Sequence, residues 1–239
     1  MRSLDDASAL VLFSGGQDSS IALAWALDRF ERVATVGFHY GQRHKVELDA
    51  RTNVRAALSD TFPAWAPRLG ADTVIDLAGL GEISETALTR AVAIEMADTG
   101  LPTSFVPGRN LVFLTMAGAL AYRLGAGALV AGMCEEDATG YPDCRAAALQ
   151  AQIDAIRLGM DADLRLETPV LTMPKSDSWR LAETLGGEAL VTLVRDHSHT
   201  CYLGERGVTH DWGAGCGACP ACLLRAEGWA AYRQGSSAA

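Results

Sequence analysis

"ALVLFSGGQDSSIALAWAL", residues 9–27, decides how the rest of the chain is read. The short apolar run 9–13 carries a branched residue and stops at a glycine pair, which predicts a buried strand. The apolar stretch that follows predicts a helix over Ser19–Phe30. A helix beginning just after residue 17 presents unpaired backbone N–H groups and the positive end of its dipole to the turn. Gly15 and Gly16 let the backbone curl and an anion come close. Ser14, Ser19 and Ser20 add hydroxyl donors, a set suited to phosphate or pyrophosphate. Asp18 fits such a cradle if a divalent cation bridges it to the phosphates, or if it caps the helix. The same residue types also make an ordinary strand-to-helix turn. The stretch lacks the Lys-Ser/Thr pair of the usual nucleoside-triphosphate loop, and it is not G-x-G-x-x-G.

Outward from this turn the pattern alternates. "RVATVGFHY" (32–40) predicts a strand, Glu47–Leu58 a helix, and "DTVIDL" (72–77) a strand. Asn110–Leu124 predicts a buried helix, "ALVAGMC" (128–134) a strand and Ala146–Leu158 a helix. "RLETPVL" (165–171) predicts an edge strand, because Pro169 removes a ladder donor. Such alternation predicts an α/β fold: a doubly wound, mainly parallel sheet with helices on both faces and active residues at the carboxyl ends of the strands. Gly, Cys, Trp and His replace the aliphatic rhythm from about residue 196. We therefore expect an α/β domain over 1–195 and a small metal-binding C-terminal segment over 196–239, packed on the same domain.

A chain of 239 residues with 49% hydrophobic content can bury one sizeable core. Its formal net charge of −9 argues against a general nucleic-acid or anionic-membrane partner, which rewards clustered Lys and Arg. No apolar stretch is long enough to span a bilayer, and "MRSLDDASAL" carries acids where a signal peptide needs an apolar segment. We expect a cytoplasmic protein. Of six cysteines, Cys201, Cys216, Cys219 and Cys222 crowd together, and in a reducing compartment that crowding points to metal. "CGACPAC" supplies two C-x-x-C steps, and four thiolates close a tetrahedral shell without an open position. A structural Zn2+ is the expectation, its binding energy ordering a loop-rich tail; the same ligands also serve an iron–sulfur cluster. We read His197, His199 and His210 as bystanders or active-site edge residues, and Cys134 and Cys144 as packing residues or as residues that support the site from behind.

Four further clusters carry candidate chemistry. "PGRN" sets Arg109 and Asn110 at the start of a helix, where a guanidinium fork suits phosphate or carboxylate. "GYPDCR" offers Asp143 and Arg145; Asp143 either accepts from a guanine-like edge or caps the helix that follows. "YGQRHK" places Tyr40, Gln42, Arg43 and His44 after the second strand, where a sheet of this order holds its ligand. For His44 a surface position in a charged helix start is the commoner explanation than a general base. Lys175 in "MPKSD" either neutralises charge on phosphate or begins a solvated helix.

"SGGQDSS" resembles the S-G-G-x-D-S motif of the PP-loop, or N-type, ATP pyrophosphatases. "YGQRHKVEL" (40–48), "ALT" (87–89), "FVPGRNLVFL" (105–114), "GYPDCR" (140–145) and the cysteine tail resemble the 7-cyano-7-deazaguanine synthases (the QueC family), in order and over nearly the whole chain. That resemblance implies a Rossmann-like fold of the adenine nucleotide alpha hydrolase type, ATP with Mg2+, a structural Zn2+ and a homodimer. It implies a ligase of queuosine biosynthesis that converts 7-carboxy-7-deazaguanine and ammonia to the nitrile through adenylated acid and amide intermediates. Phe13, Ser14, Gly15, Gly16, Gln17, Asp18, Ser19 and Ser20 would then hold ATP, with Asp18, Ser19, Arg109 and Lys175 catalytic. Tyr40, Gln42, Arg43, Arg109, Asn110, Asp143 and Arg145 would bind substrate. Lysidine synthetases and tRNA sulfurases share the loop but dock tRNA, for which this acidic chain has no basic patch. There is no room for a glutaminase domain, so free ammonium is the expected nitrogen source. "CEEDAT" departs from the family pattern, where a Thr and an aromatic residue are usual near Glu136 and Ala138.

Overall fold

Strand β1 (Asp5–Leu12) lies at the centre of a five-stranded sheet of order β3-β2-β1-β4-β5, with β2 Arg32–His39, β3 Leu69–Asp76, β4 Ala126–Ala131 and β5 Arg165–Glu167. All four pairings are parallel. The computed structural model describes residues 1–43, 46–84, 86–135 and 141–236. Parallel strands are covered on both faces, so they read as apolar runs, as β4 and the second half of β1 do. In β1 Val11 turns to one core, with Ile21 and Leu27 of α1 (Gln17–Arg29), while Leu10 and Leu12 turn to the other. The first core is completed by α2 (Val46–Thr61), α6 (Lys175–His197) and α7 (Pro220–Ser236). The second lies under α4 (Arg109–Leu124) and α5 (Ala146–Met160). A short helix, α3 (Ala78–Glu82), follows β3.

Several boundaries differ from the sequence reading for identifiable reasons. β1 stops at Leu12, leaving Phe13 to open the turn, and α1 begins at Gln17, so Asp18 sits inside its first turn. The edge strand ends at Glu167, and 169–172 form turns once Pro169 cannot donate. Glycines in the left-handed region, Gly108 (φ 72°) and Gly125 (φ 75°), bracket α4. The tail is less loop-rich than expected. A two-residue hairpin, β6 Thr209–His210 with β7 Gly213–Ala214, leads to the seventeen-residue α7, started by Pro220. Trp229 and Tyr232 of α7 pack on Trp179 of α6, at 5.0 and 6.5 Å between ring centroids, inside the first core. No helix among the described residues is long and apolar enough to cross a membrane.

β1 leads to β2 on one side while β4 lies on the other, so chain order reverses between β1 and β4. A crevice opens at such a switch point, outside the carboxyl ends of the strands. The glycine turn leaves β1 there, beside Gly132 at the end of β4.

Candidate functional site

A cavity of about 540 Å³ occupies this crevice, walled by the glycine turn and by the starts of α4, α6 and α7. A shallower depression of about 370 Å³, which holds Thr61, Glu188 and His197, shares no lining residue with it. Gly15 has φ +85°, and a Cβ there would sit 2.8 Å from the Arg51 amide nitrogen, so both conformation and space require glycine. The loop is braced internally. Ser14 Oγ lies 3.0 Å from Ser19 Oγ and accepts from the Gly16 amide at 3.2 Å. Ser20 Oγ donates to the Gly16 carbonyl at 2.7 Å, and Gln17 Nε2 to Ser178 Oγ at 3.0 Å. Ser20 thus braces the turn from outside the cavity lining, whereas Phe13, Ser14, Gly16, Gln17, Asp18 and Ser19 line it.

Among the described residues no side chain caps α1, so its first-turn amides remain for an anion. Asp18 is not the cap. Its Oδ2 accepts a 2.7 Å hydrogen bond from Lys175 Nζ, and both side chains are largely buried. Its Oδ1 is buried with no hydrogen-bond partner among the described residues. Lys175 therefore belongs to the loop, not to a solvated helix start.

Arg109 dominates the other half of the cavity. Its guanidinium lies 5.5 Å from the Tyr40 ring centroid and 5.8 Å from that of Tyr141, and Nη1 donates to Tyr40 Oη at 3.4 Å. Phe113 stacks on Phe38 at 4.1 Å and tilts against Tyr40 at 5.6 Å. Tyr141 Oη sits 2.7 Å from Ser104 Oγ and 3.2 Å from Tyr202 Oη. Burial works against the charge of Arg109, but the surrounding phenols and Asp143 hold its pKa above the ordinary value. Burial pushes the Tyr40 phenol up to about 12, with Arg109 opposing. It also raises the carboxyl of Glu47, again against Arg109. The result is a cationic, aromatic-walled compartment that suits a planar anionic ligand.

The remaining candidates divide. Gln42 lines the cavity while bracing the end of β2: Oε1 accepts from the Tyr40 amide at 2.8 Å and Nε2 donates to the Phe38 carbonyl at 3.2 Å. The Asn110 amide donates to Asp143 Oδ2 at 2.9 Å, and Asn110 Nδ2 to Cys144 Sγ at 3.2 Å. Asp143 thus caps α4, the helix before it in sequence, rather than the helix that follows. Its Oδ1 is buried without a partner among the described residues. Arg43 and Arg145 are exposed and outside the cavity lining, Arg43 beyond the Gly41 turn (φ 79°) and Arg145 at the N-cap of α5. His44, Glu136 and Ala138 lie outside the described residues. His210 stacks on Trp212 at 4.5 Å, and Cys134 is buried beside the Met173 carbonyl. His199 is an edge residue of the cavity: its amide donates to the Gly15 carbonyl at 2.9 Å. Sequence reasoning missed Glu47, Arg51, Tyr202 and Arg225, all of which line the cavity. Only Arg225 carries a local signal, a position one helical turn after Cys222.

The Sγ atoms of Cys201, Cys216, Cys219 and Cys222 lie within 4.8 Å of one another, with Cys216 and Cys222 3.9 Å apart. A tetrahedral shell with ligand bonds of about 2.3 Å has edges of about 3.8 Å, so these thiols are placed as metal ligands. Burial pushes the thiols of Cys219 and Cys222 up. At Cys216 burial is outweighed by the Ala218 and Cys219 amides, 3.4 and 3.3 Å from Sγ, together with hydrogen bonds from the Cys201 and Cys219 thiols, which bring it down to about 7. Pro220, Ala221 and Arg225 of the helix that carries Cys222 line the cavity, so the cluster stands directly behind its wall.

A family model described as "Queuosine biosynthesis protein QueC" matches residues 8–233. A 7-cyano-7-deazaguanine synthase of Hyphomonas neptunium is 58% identical over 97% of both chains. That of Azorhizobium caulinodans is 62% identical over 94% of this chain and 93% of its own. A solved 4-thiouridine synthetase–RNA complex with bound ATP is 16% identical, with a TM-score of 0.48 over 77% of this chain and 42% of that one. The extent of the family match, with relatives of such identity over 93% or more of both chains, establishes that the chain belongs to the QueC family of queuosine biosynthesis proteins.

Proposed function

We propose that the protein is an ATP-dependent carbon–nitrogen ligase that converts 7-carboxy-7-deazaguanine and ammonia to 7-cyano-7-deazaguanine. One observation carries this reading beyond the likeness to named relatives. A single cavity joins an uncapped helix N-terminus, with Asp18 and Lys175, to the aromatic compartment of Arg109. A carboxylate is a poor electrophile and must be activated. Its oxygen attacks the α-phosphorus of ATP, an acyl-adenylate forms and pyrophosphate leaves. Ammonia displaces AMP to give the amide; the amide oxygen is adenylated by a second ATP, and loss of AMP leaves the nitrile.

In this reading the amides of Gln17, Asp18 and Ser19 and the Ser14 and Ser19 hydroxyls hold the departing pyrophosphate, with Phe13, Gly15, Gly16 and Ser20 shaping the loop. Lys175 neutralises charge that develops there. Arg109 pairs with the carboxylate or the α-phosphate, and Tyr40 and Asn110 border the deazaguanine. Mg2+ bound with ATP would supply electrostatic stabilisation of the leaving group, and Asp18 Oδ1, a buried carboxylate oxygen without a partner among the described residues, fits it. The four cysteines fit Zn2+, which would hold the tail in place. The reading also includes an α/β unit over 1–195 with 196–239 packed on it, a homodimer, a cytoplasmic setting, free ammonium as nitrogen donor and no docking of tRNA.

The test incubates metal-loaded protein with 7-carboxy-7-deazaguanine, ATP, Mg2+ and ammonium and follows the deazaguanine mass with AMP and pyrophosphate. The expected result is the nitrile with two AMP and two pyrophosphate for each. An unchanged substrate mass from folded protein refutes the substrate assignment.

A further inference from the structure

Arg225 is 1% exposed, a buried guanidinium set in the cavity wall one helical turn after Cys222. All of its nitrogens are committed. Nε donates to the Trp212 carbonyl at 3.0 Å, and Nη2 to the carbonyls of Arg195 and Val194 at 3.1 and 3.4 Å. Nη1 donates to Ser198 Oγ at 3.0 Å and to Thr200 Oγ1 at 2.8 Å. These two hydroxyls flank His199, whose amide donates to the Gly15 carbonyl at 2.9 Å. His199 Nε2 lies 3.0 Å from the carbonyl of Cys201, one of the four clustered cysteines. The strap 198–201 is therefore held at one end by Arg225 and at the other by the cysteine cluster, and it touches the loop between them.

That touch has a geometric consequence. In a trans peptide the C=O and the N–H point in opposite directions. Fixing the Gly15 carbonyl on His199 thus fixes the direction of the Gly16 N–H, which donates to Ser14 Oγ at 3.2 Å. Gly15, at φ +85°, has no side chain to hold this peptide by itself. We infer that Arg225 is a positioning residue: through Ser198, Thr200 and the His199 amide it sets the peptide plane of the glycine loop, and so couples the four-cysteine site to nucleotide binding. Lysine cannot replace it, because three donors on one ammonium cannot reach acceptors that a planar fork meets on three sides.

The inference rests on the nucleotide reading proposed above, so the test separates the two. Metal-loaded full-length protein is titrated with α,β-methylene-ATP and Mg2+ by calorimetry, alongside Arg225→Met, Arg225→Lys and Thr200→Val. Metal content is measured for each, and amide exchange of His199 and of β1 is followed without nucleotide. We expect Kd to rise about tenfold in both Arg225 variants and about threefold in Thr200→Val, with metal content unchanged. His199 exchange should quicken in all three while β1 stays protected. Folded, metal-bearing variants that bind within about twofold of the wild type, with His199 as protected as before, overturn the inference. If Arg225→Met does not fold, Thr200→Val decides on the same two readouts. A wild type that does not bind the analogue overturns the nucleotide reading instead, and the exchange comparison still decides the wiring.

Discussion

Replacing Gly132 with alanine adds one methyl group where β4 leaves the sheet beside α1. The backbone there lies outside the left-handed region, so the effect is one of space. The new Cβ would stand 2.6 Å from the Ser19 amide nitrogen, 2.7 Å from the Asp18 carbonyl carbon and 2.8 Å from its oxygen, where ordinary contact begins at 3.4 Å. All three neighbours are backbone of the first turn of α1, so relief requires that turn to move by about 0.8 Å. Overpacking of this kind destabilises by about 1–3 kcal/mol. A misplacement near 1 Å at reacting groups costs roughly 100-fold in rate. We therefore expect Gly132→Ala to remain folded, to lose about 2 kcal/mol in urea unfolding and to lose about two orders of magnitude in kcat/KM for ATP. Gly159→Ala is the control. Nothing lies within 4 Å of a Cβ at this exposed helical position, so that variant should gain up to about 1 kcal/mol and turn over normally. Gly132→Ala with wild-type kcat/KM would falsify the idea that the first-turn position sets the rate.

Three other predictions concern charge and metal. Asp18→Asn should abolish most ATP-dependent turnover and also lower stability by about 2 kcal/mol, because the buried Lys175 ammonium loses a charged 2.7 Å hydrogen bond; paired turnover and urea curves check this, and unchanged stability would count against it. Removing metal by chelation, or Cys219→Ser, should lower the thermal midpoint and expose Trp229, read by calorimetry and tryptophan fluorescence, because a metal held by the four thiols would contribute to the ordering of α7. For Glu47, burial raises the folded pKa above the ordinary 4.5. The folded state then binds the extra proton, so the contribution of Glu47 is fully present below pH 4.5 and is lost as pH rises through the raised value. The stability of the wild type relative to Glu47→Gln should therefore decline across a pH series upward from 4.5; a flat difference would contradict the assigned burial.

Much of this was legible because local pattern and tertiary role coincide. "ALVLF" and the first four residues of "ALVAGMC" read as strands since both of their faces are buried, although β4 ends at Ala131 and 132–134 leave the sheet, and the glycine turn between β1 and α1 needs no distant residue to be recognised. The cysteine spacing likewise carries its own geometry. What was hidden depends on long-range packing. α6 holds Gly186–Gly187, and the latter leaves helical conformation at φ 64°, so its sequence gives no clean helical period. α7 lies under a Cys- and Gly-rich texture that reads as loop, although Trp229 and Tyr232 bury it in the main core. Asp143 left two roles open, and only the fold shows that it caps α4 from beyond β4. The compartment around Arg109 draws Tyr40, Ser104, Tyr141 and Tyr202 from separate loops, with no periodicity to link them.

The distance along the chain between the two sides of the crevice has a consequence for synthesis. Asp18 and its partner Lys175 are 157 residues apart, and the wall formed by α7 comes later still. At translation rates of about 5–20 residues per second, the glycine loop waits roughly ten seconds or more before the lysine exists. During that interval β1 and β2 can pair and α1 can pack on them, but no nascent chain possesses the complete crevice. In the proposed function ATP would therefore not act as an early folding ligand; any stabilisation by it would begin only once the last helix has docked.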